Sequence, residues 1–244
     1  MQAPYYRHWL ALAHHRGFAG HADLCAPGVL ELIRALPNPA PTVLELGCGS
    51  GALTRHLVEA GLEVIATDAS PAMVDLARKT VPDAAEHRLI TLPDDPIPKA
   101  DVIVSVGHVL NYLPDVEAVR RALSRLANAL KPGGLLAMDV LDLEYGRINH
   151  APNSVGSAGD DWAVISRSRF EPPDRLVREI TGFVLDNDTG WQRDDEVHEN
   201  VLVDTAALAG DFDPDLYDNW VRRSFGRERL PQGMRVLLVR SRPR

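Results

Sequence analysis

The stretch Leu44-Glu45-Leu46-Gly47-Cys48-Gly49-Ser50-Gly51 decides the fold. It is entered from Thr42 through a short run that is apolar apart from one carboxylate, the pattern of a strand covered on both faces of a parallel sheet. It leaves into residues 52–60, which read as a helix. Three glycines at alternate positions let the backbone approach a ligand closely. The helix start offers unpaired N–H groups to a polar or anionic group. A bare strand–helix turn is the bland account. Three glycines behind a buried strand that itself carries an acid favour a ligand-binding turn.

Outward from this turn the pattern alternates. Residues 63–67 read as a strand, 71–79 as a helix, 87–91 and 101–105 as strands, and 114–130 as a long helix closed by Lys131-Pro132-Gly133-Gly134. Residues 135–140 give the next strand. Strands separated by helices predict right-handed βαβ units on one parallel sheet, an α/β fold. Residues 1–40 read as helical, with an apolar stretch around Tyr5, Tyr6, Trp9, Leu10, Leu12 and Ala13 and a second helix from Pro27 to Leu36, stopped by Pro37, Pro39 and Pro41. After Leu141 the character changes. Residues 142–160, rich in Gly, Asn and Ser, read as a long loop. Residues 162–170, 176–185 and 195–203 read as antiparallel strands with turns at Pro172-Pro173-Asp174 and 187–190. A short helix at 205–210 and two final strands at 216–225 and 234–239 complete the chain. The expected organisation is a helical lid (1–40), an α/β domain (41–141 and 204–244), and a loop with a small antiparallel insert (142–203).

Length and charge bound the function. The 244 residues suffice for one full core with a small appendage. Hydrophobic residues make up 45% and charged residues 25%, as in an ordinary soluble domain. Thirty-four acids against 26 bases leave a net charge of -8, which speaks against a long contact with nucleic acid or anionic lipid. Two cysteines make neither a disulfide framework nor a cysteine-only metal site. No signal peptide and no membrane span is legible, so a cytoplasmic location is the expectation.

Asp68 ends the second strand, where the carboxyl ends of neighbouring strands line a ligand crevice. An acid there can accept both hydroxyls of a ribose; capping the helix that begins near Pro71, alongside Ser70, is its bland role. Gly47, Gly49 and Ala52 also satisfy G-x-G-x-x-A, so a nicotinamide dinucleotide has to be weighed. Glu45 weighs against it, because a carboxylate beside the loop repels a pyrophosphate and suits a ligand with an ammonium and a sulfonium.

With these motifs the chain resembles the class I S-adenosylmethionine-dependent methyltransferases, especially the small-molecule type. Residues 45–51 match the family's first motif and 66–73 its acidic second-strand motif. Residues 101–112 and 130–136 match the fourth- and fifth-strand regions, and 231–239 its reversed last strand. The resemblance implies a Rossmann-like, mostly parallel sheet with a reversed last strand. It implies that Gly47, Cys48, Gly49 and Gly51 hold the methionine part of the cofactor, with Glu45 near its amino group. It implies Asp68 at the ribose and Ala69 and Met73 flanking the adenine, with Leu92 and Val106 along the same cleft. The family often carries an acid at the end of the third strand; here Thr91 or Leu92 stands there, leaving adenine recognition to backbone groups or Asp94. The N-terminal helices are implied to fold over the cofactor, with Tyr5, Tyr6 or Arg16 reaching its carboxylate end.

His108 follows the fourth strand and faces the transferred methyl in this scheme, as a base or as a hydrogen-bonding wall. Asn111 and Tyr112 are further walls, with a core role open for Tyr112. In the insert, Trp162, Trp191 and His198 are expected substrate contacts. Arg167 and Arg169 share a strand face and either bind an acidic substrate or form a solvated face. The N-terminal histidines His8, His14, His15 and His21 lack the carboxylates of a metal site apart from Asp23, and no metal is expected. The expected reaction is methyl transfer from S-adenosylmethionine to an oxygen or nitrogen of a small molecule. The alternatives are an NAD-dependent oxidoreductase and a non-catalytic cofactor-binding regulatory protein. A nucleic-acid methyltransferase is disfavoured by charge and by Gly107-His108-Val109-Leu110 standing where its amino-methylating motif would be. The acceptor and the oligomeric state are left open.

Overall fold

The computed structural model describes residues 5–243. Residues 1–4 of the expected lid lie outside the described residues. The chain runs α1 (His8–Gly17), α2 (Gly20–Arg34), β1 (Thr42–Leu46), α3 (Ala52–Glu59), β2 (Glu63–Asp68), α4 (Pro71–Thr80), β3 (Glu86–Leu89) and β4 (Ala100–Ser105). A 3-10 turn at Val109–Tyr112 precedes α5 (Val116–Ala129), β5 (Leu130–Leu141), α6 (Leu143–Ile148), β6 (Asn153–Ala158), β7 (Trp162–Glu171) and β8 (Arg175–Asp186). Then come β9 (Gly190–Val201), α7 (Thr205–Gly210), β10 (Tyr217–Arg222) and β11 (Met234–Ser241).

Seven strands form one sheet in the order β10-β11-β5-β4-β1-β2-β3. Strands β1 to β5 pair in parallel, and β11 pairs antiparallel with both β5 and β10. The order reverses between β1 and β4, which puts the carboxyl ends of those two strands at the switch point where open α/β sheets bind ligands. Local sequence sets the surrounding helices. Ser70 accepts from the Met73 N–H at 3.2 Å with Pro71 at the first helical position, and Asp115 accepts from the Ala118 N–H at 2.7 Å. Helix α5 then lays Val119, Ala122, Leu123 and Leu126, all buried, on the core face beneath β4 and β5.

Three expectations change. The 142–160 loop is structured: Asp142 accepts from Glu144 N–H and from Thr205, starting α6, and residues 153–158 pair antiparallel with β7. All six residues of β6 are exposed, so this edge strand has no apolar alternation to read and forms by backbone pairing alone. Second, α2 begins at Gly20 and runs through Pro27; burial of Cys25, Ala26, Val29 and Ile33 outweighs the one helical hydrogen bond that a proline forfeits. Third, β9 starts at Gly190, carrying a charged stretch into the sheet.

The N-terminal segment also divides. Helix α2 belongs to the α/β layer, where Cys25, Val29 and Ile33 pack with Val43, Leu57 and Val236. Helix α1 instead caps the insert, a four-stranded sheet in the order β6-β7-β8-β9. Leu10 and Ala13 pack there with Val164, Ile180 and Val184. Gly182 is what admits the helix: a Cβ at that position would stand 3.1 Å from Leu10 Cδ1.

Candidate functional site

The glycine loop follows β1 and needs its glycines for different reasons. A Cβ on Gly47 would strike Val109 at 2.2 Å, so that glycine lets the loop lie against the segment leaving β4. Gly49 has φ +53 and nothing within 4 Å of a Cβ, so it is a bare, left-handed position facing open space. Gly51 starts α3, packed on Val81 and Thr80. The Cys48 side chain turns behind the loop, buried with Ala66 and Ala77, and burial pushes its thiol far up, so it is inert. Cys48 joins Glu45, Gly49, Val106 and Gly107 around a cavity of about 100 Å³ also lined by His14 of α1 and by Phe18 just beyond it.

Two carboxylates stand at the glycine loop, Glu45 lining the cavity and Asp68 bonded to the loop backbone. Glu45 is 2% exposed, and burial raises its pKa to about 7 against the opposing hydrogen bond from Thr54 Oγ1, 2.7 Å from its Oε2. Asp68 accepts from the Gly49 N–H at 2.9 Å on one oxygen and from the Ser70 N–H at 2.8 Å on the other. Burial raises its pKa, opposed by those N–H groups. Each oxygen keeps further acceptor capacity, as a pair of hydroxyls requires. Ala69 beside it is exposed and Met73 is buried at the start of α4. Leu92 packs against the core, on a loop that Arg125 holds by the Asp94 and Asp95 carbonyls at 3.0 and 2.9 Å.

The exit of β4 is organised by Asp139 of β5, which sequence reasoning missed. Its carboxylate is 1% exposed and accepts from Gly107 N–H at 2.8 Å, from His108 N–H at 2.7 Å, and lies 2.8 Å from His21 Nε2 of α2. That bond raises the His21 pKa against the effect of burial. The two backbone bonds hold His108 at φ +51, a left-handed conformation uncommon outside glycine. The ring of His108 stacks on Tyr112 with centroids 5.8 Å apart.

Around these two rings the lid and the insert converge. Tyr6 Oη lies 3.0 Å from Tyr112 Oη; the Tyr5 ring lies 4.6 Å from that of His198. Glu196 of β9 accepts from the backbone N–H groups of Tyr6 and Arg7, each at 2.7 Å, and lies 2.8 Å from His198 Nε2. Ser70 Oγ donates to the Tyr6 carbonyl at 2.7 Å, which fastens the N-terminal segment to the turn between β2 and α4. Arg178 of β8 donates through Nη2 to Tyr112 Oη at 2.6 Å and stands 3.4 Å from His108 Nε2. Burial lowers the pKa of His108 to about 3 and that of His14 to about 4, and the Arg178 charge adds to both. Burial also lowers His198, against Glu196. All three imidazoles are neutral at pH 7.

The structure brings together Tyr6, Tyr112, His108 and His198, and sets five other expected contacts apart. Arg16 donates to the carbonyls of Asp161 and Leu185 at 3.0 and 3.3 Å and pairs with Asp161, so it clasps α1 to the insert and is not turned to the cofactor. Trp191 is 55% exposed because its position in β9 alternates with His198 onto the outer face. Trp162 packs on Gly17, Phe18 and Gly159, holding the end of α1. Asn111 ties the 3-10 turn to the carbonyls of Leu141 and Val201 and to the Leu141 N–H, a structural role. Arg169 is paired with Glu171 and Glu179 on the outer face. Among the described residues no three His, Cys, Asp or Glu side chains group as metal ligands.

Residues 44–136 match a family model described as a methyltransferase domain. An uncharacterized methyltransferase of Mycobacterium tuberculosis is 34% identical over 128 residues, 51% of this chain and 51% of that protein. The chain thus matches about half the length of these mycobacterial relatives. An N-demethylindolmycin N-methyltransferase of Streptomyces griseus is 29% identical over 184 residues, 69% of this chain and 71% of the relative. The fold is shared with the sugar N-methyltransferase KedS8 of Streptoalloteichus, with a TM-score of 0.77 at 19% identity over 100% of this chain and 97% of the other. Residues 44–136 thus carry a methyltransferase domain, and in motifs and fold the chain is similar to S-adenosylmethionine-dependent methyltransferases.

Proposed function

We propose that the chain transfers a methyl group from S-adenosylmethionine to a nitrogen or oxygen of a small molecule. One observation carries this reading: the cavity lined by Glu45, Gly49 and Gly107, with Asp68 bonded to the Gly49 N–H, adjoins at His108 a cluster of phenols and imidazoles. The residues fit the cofactor. Open space over Gly49 admits its backbone, Asp68 keeps acceptor capacity for the ribose, and the buried Glu45 lacks a cationic partner that an ammonium would supply. The same carboxylate disfavours a pyrophosphate, hence the nicotinamide alternative. An intact cleft disfavours the non-catalytic one.

When bound, S-adenosylmethionine supplies an electrophilic methyl group, so the remaining task of the protein is alignment and exclusion of water. Tyr5 and Tyr6 close over His198 and Tyr112, and Glu196 with Ser70 keeps them closed. His108, with a pKa near 3 and Arg178 beside its Nε2, is a weak proton acceptor, and its work is to wall and orient the acceptor. An acceptor amine then reacts as the free base. The N-methyltransferases among the similar proteins support nitrogen as the acceptor atom. The net charge of -8 supports a small molecule over nucleic acid. A cytoplasmic location is part of the same reading; among the described residues no helix is long and apolar enough to cross a membrane.

Calorimetric titration with S-adenosylmethionine and, separately, NAD tests the proposal. Saturable binding of the first and none of the second is expected, followed by a mass gain of one methyl in small amines or phenols. A folded protein that binds neither, or binds only NAD, would reject it.

A further inference from the structure

A guanidinium stays charged at any pH at which proteins fold, and enclosed charges in native structures are paired. Arg178 departs from this. Nη2 is engaged by Tyr112 and His108, but its Nε is enclosed with no acceptor among the described residues. The ionisable groups that raise its pKa, against burial, are phenols: Tyr112, Tyr6 and Tyr145. The nearest acid on the same face of the facing strand, Glu196, is committed to Tyr6, Arg7 and His198. The residue as a whole is half-buried.

Asn200 is the second anomaly. It is 0% exposed, and neither its amide nitrogen nor its amide oxygen has a partner among the described residues. In the β8–β9 register Arg178 faces His198 and Leu176 faces Asn200, so Arg178 and Asn200 are diagonal neighbours on one face of the insert, roughly 7–8 Å apart at Cα. A water could satisfy Asn200, but it would not neutralise the guanidinium. An oxyanion satisfies both: Arg178 donates with charge assistance and the Asn200 amide donates to a second oxygen.

We infer that the methyl acceptor is an organic anion whose carboxylate or phosphate is held by Arg178 and Asn200. This rests on the methyltransferase reading and names the class of its substrate. The anion sits on the inner face of the insert, and His108 and Tyr112 lie between it and the glycine cleft. An acceptor anchored there extends its amine or hydroxyl past these rings toward Gly107. A chain of net charge -8 repels small anions in general, so a local enclosed cation is what such a substrate needs.

The full chain, with and without S-adenosylhomocysteine, is titrated with acetate and with methyl phosphate and followed by NMR chemical shifts. Saturable binding of at least one probe is expected, and the stronger one identifies the anion. Arg178→Met should weaken that probe roughly 10- to 100-fold, the loss expected for a charged hydrogen-bonded pair. Asn200→Asp tests the same site without removing the cation: its carboxylate occupies the guanidinium and should exclude the probe to a similar extent. Both variants should bind S-adenosylhomocysteine like the parent. Equal probe affinity in the parent and the folded variants, or no saturable binding by the parent, overturns the inference. Failure of S-adenosylhomocysteine to bind strikes the methyltransferase reading instead, and the titrations without it still decide the anion site.

Discussion

The proposed cofactor cleft and the proposed acceptor pocket meet at Gly107–His108 but are built in opposite ways. The cleft is made by short chain segments that run into their own ligand groups: β1 into the glycine loop, β2 into Asp68. The pocket is assembled from Tyr6, Tyr112, Arg178 and His198, which stand on four different segments far apart in the chain. A cleft of the first kind is carried by backbone geometry. A pocket of the second kind depends on how the lid and the insert dock, and can change its ligand while the fold stays the same.

The largest effect is expected at the joint between the two. Asp139→Leu leaves the Gly107 and His108 N–H groups without acceptors and releases His21, so unfolding free energy should fall by about 3–5 kcal/mol, read from urea denaturation. A change below ~1 kcal/mol would mean that the joint is held otherwise. Next is Gly49→Val, which forces a β-branched residue to φ +53 and fills the open space above the loop. S-adenosylmethionine affinity should drop by about 100-fold or more, near the scale of 2.7 kcal/mol, while acetate or methyl phosphate binding is unchanged. Loss of both would show that the two regions are not independent.

Acid should separate the regions further. His14 and His108 are neutral in the fold with pKa values of about 4 and about 3, below the ordinary imidazole value of 6.5. The unfolded chain therefore binds more protons between these limits. Stability should be complete above pH 6.5 and decline as pH falls, by at most about 1.4 kcal/mol per pH unit for each imidazole. His108→Asn, which tolerates the left-handed backbone and does not titrate, should flatten that slope in thermal melts across the same range. Glu45 behaves oppositely in origin and on a smaller scale. Its pKa of about 7 means that its charge grows as pH rises through neutrality, so affinity for a cationic cofactor should strengthen from pH 6 upward, by at most about tenfold per unit. Glu45→Gln should abolish that dependence in calorimetry; an unchanged pH profile in the variant would assign it to another group.

These contrasts match what was legible beforehand. Residues 42–68 announced a parallel α/β core, a nucleoside-binding turn and an acid at the second strand, because each signal lies within a few consecutive residues whose periodicity and glycine spacing have local causes. The alternating strands and helices up to Leu141 followed in the same way. The insert was legible only as strands. Its exposed edge strand β6 has no periodicity, and the value of Arg178 lies in an Nε with no acceptor among the described residues, which no linear pattern records. Arg167 and Arg169 drew notice as a pair, yet Arg169 turns out to be an outer-face ion pair.

The sequence by itself determined the class of fold and the cofactor side of the site, since a glycine turn behind a buried strand creates its ligand groups from its own backbone. Tertiary structure alone decided that Arg16 clasps the insert, that Trp191 faces outward, that Asp139 holds His108, and that Arg178, whose Nε lacks an acceptor among the described residues, stands diagonal to Asn200 across β8 and β9. The reason is physical: pairing, burial and the neutrality of an imidazole are set by groups brought together from distant parts of the chain, and they exist only once the lid has closed on the insert.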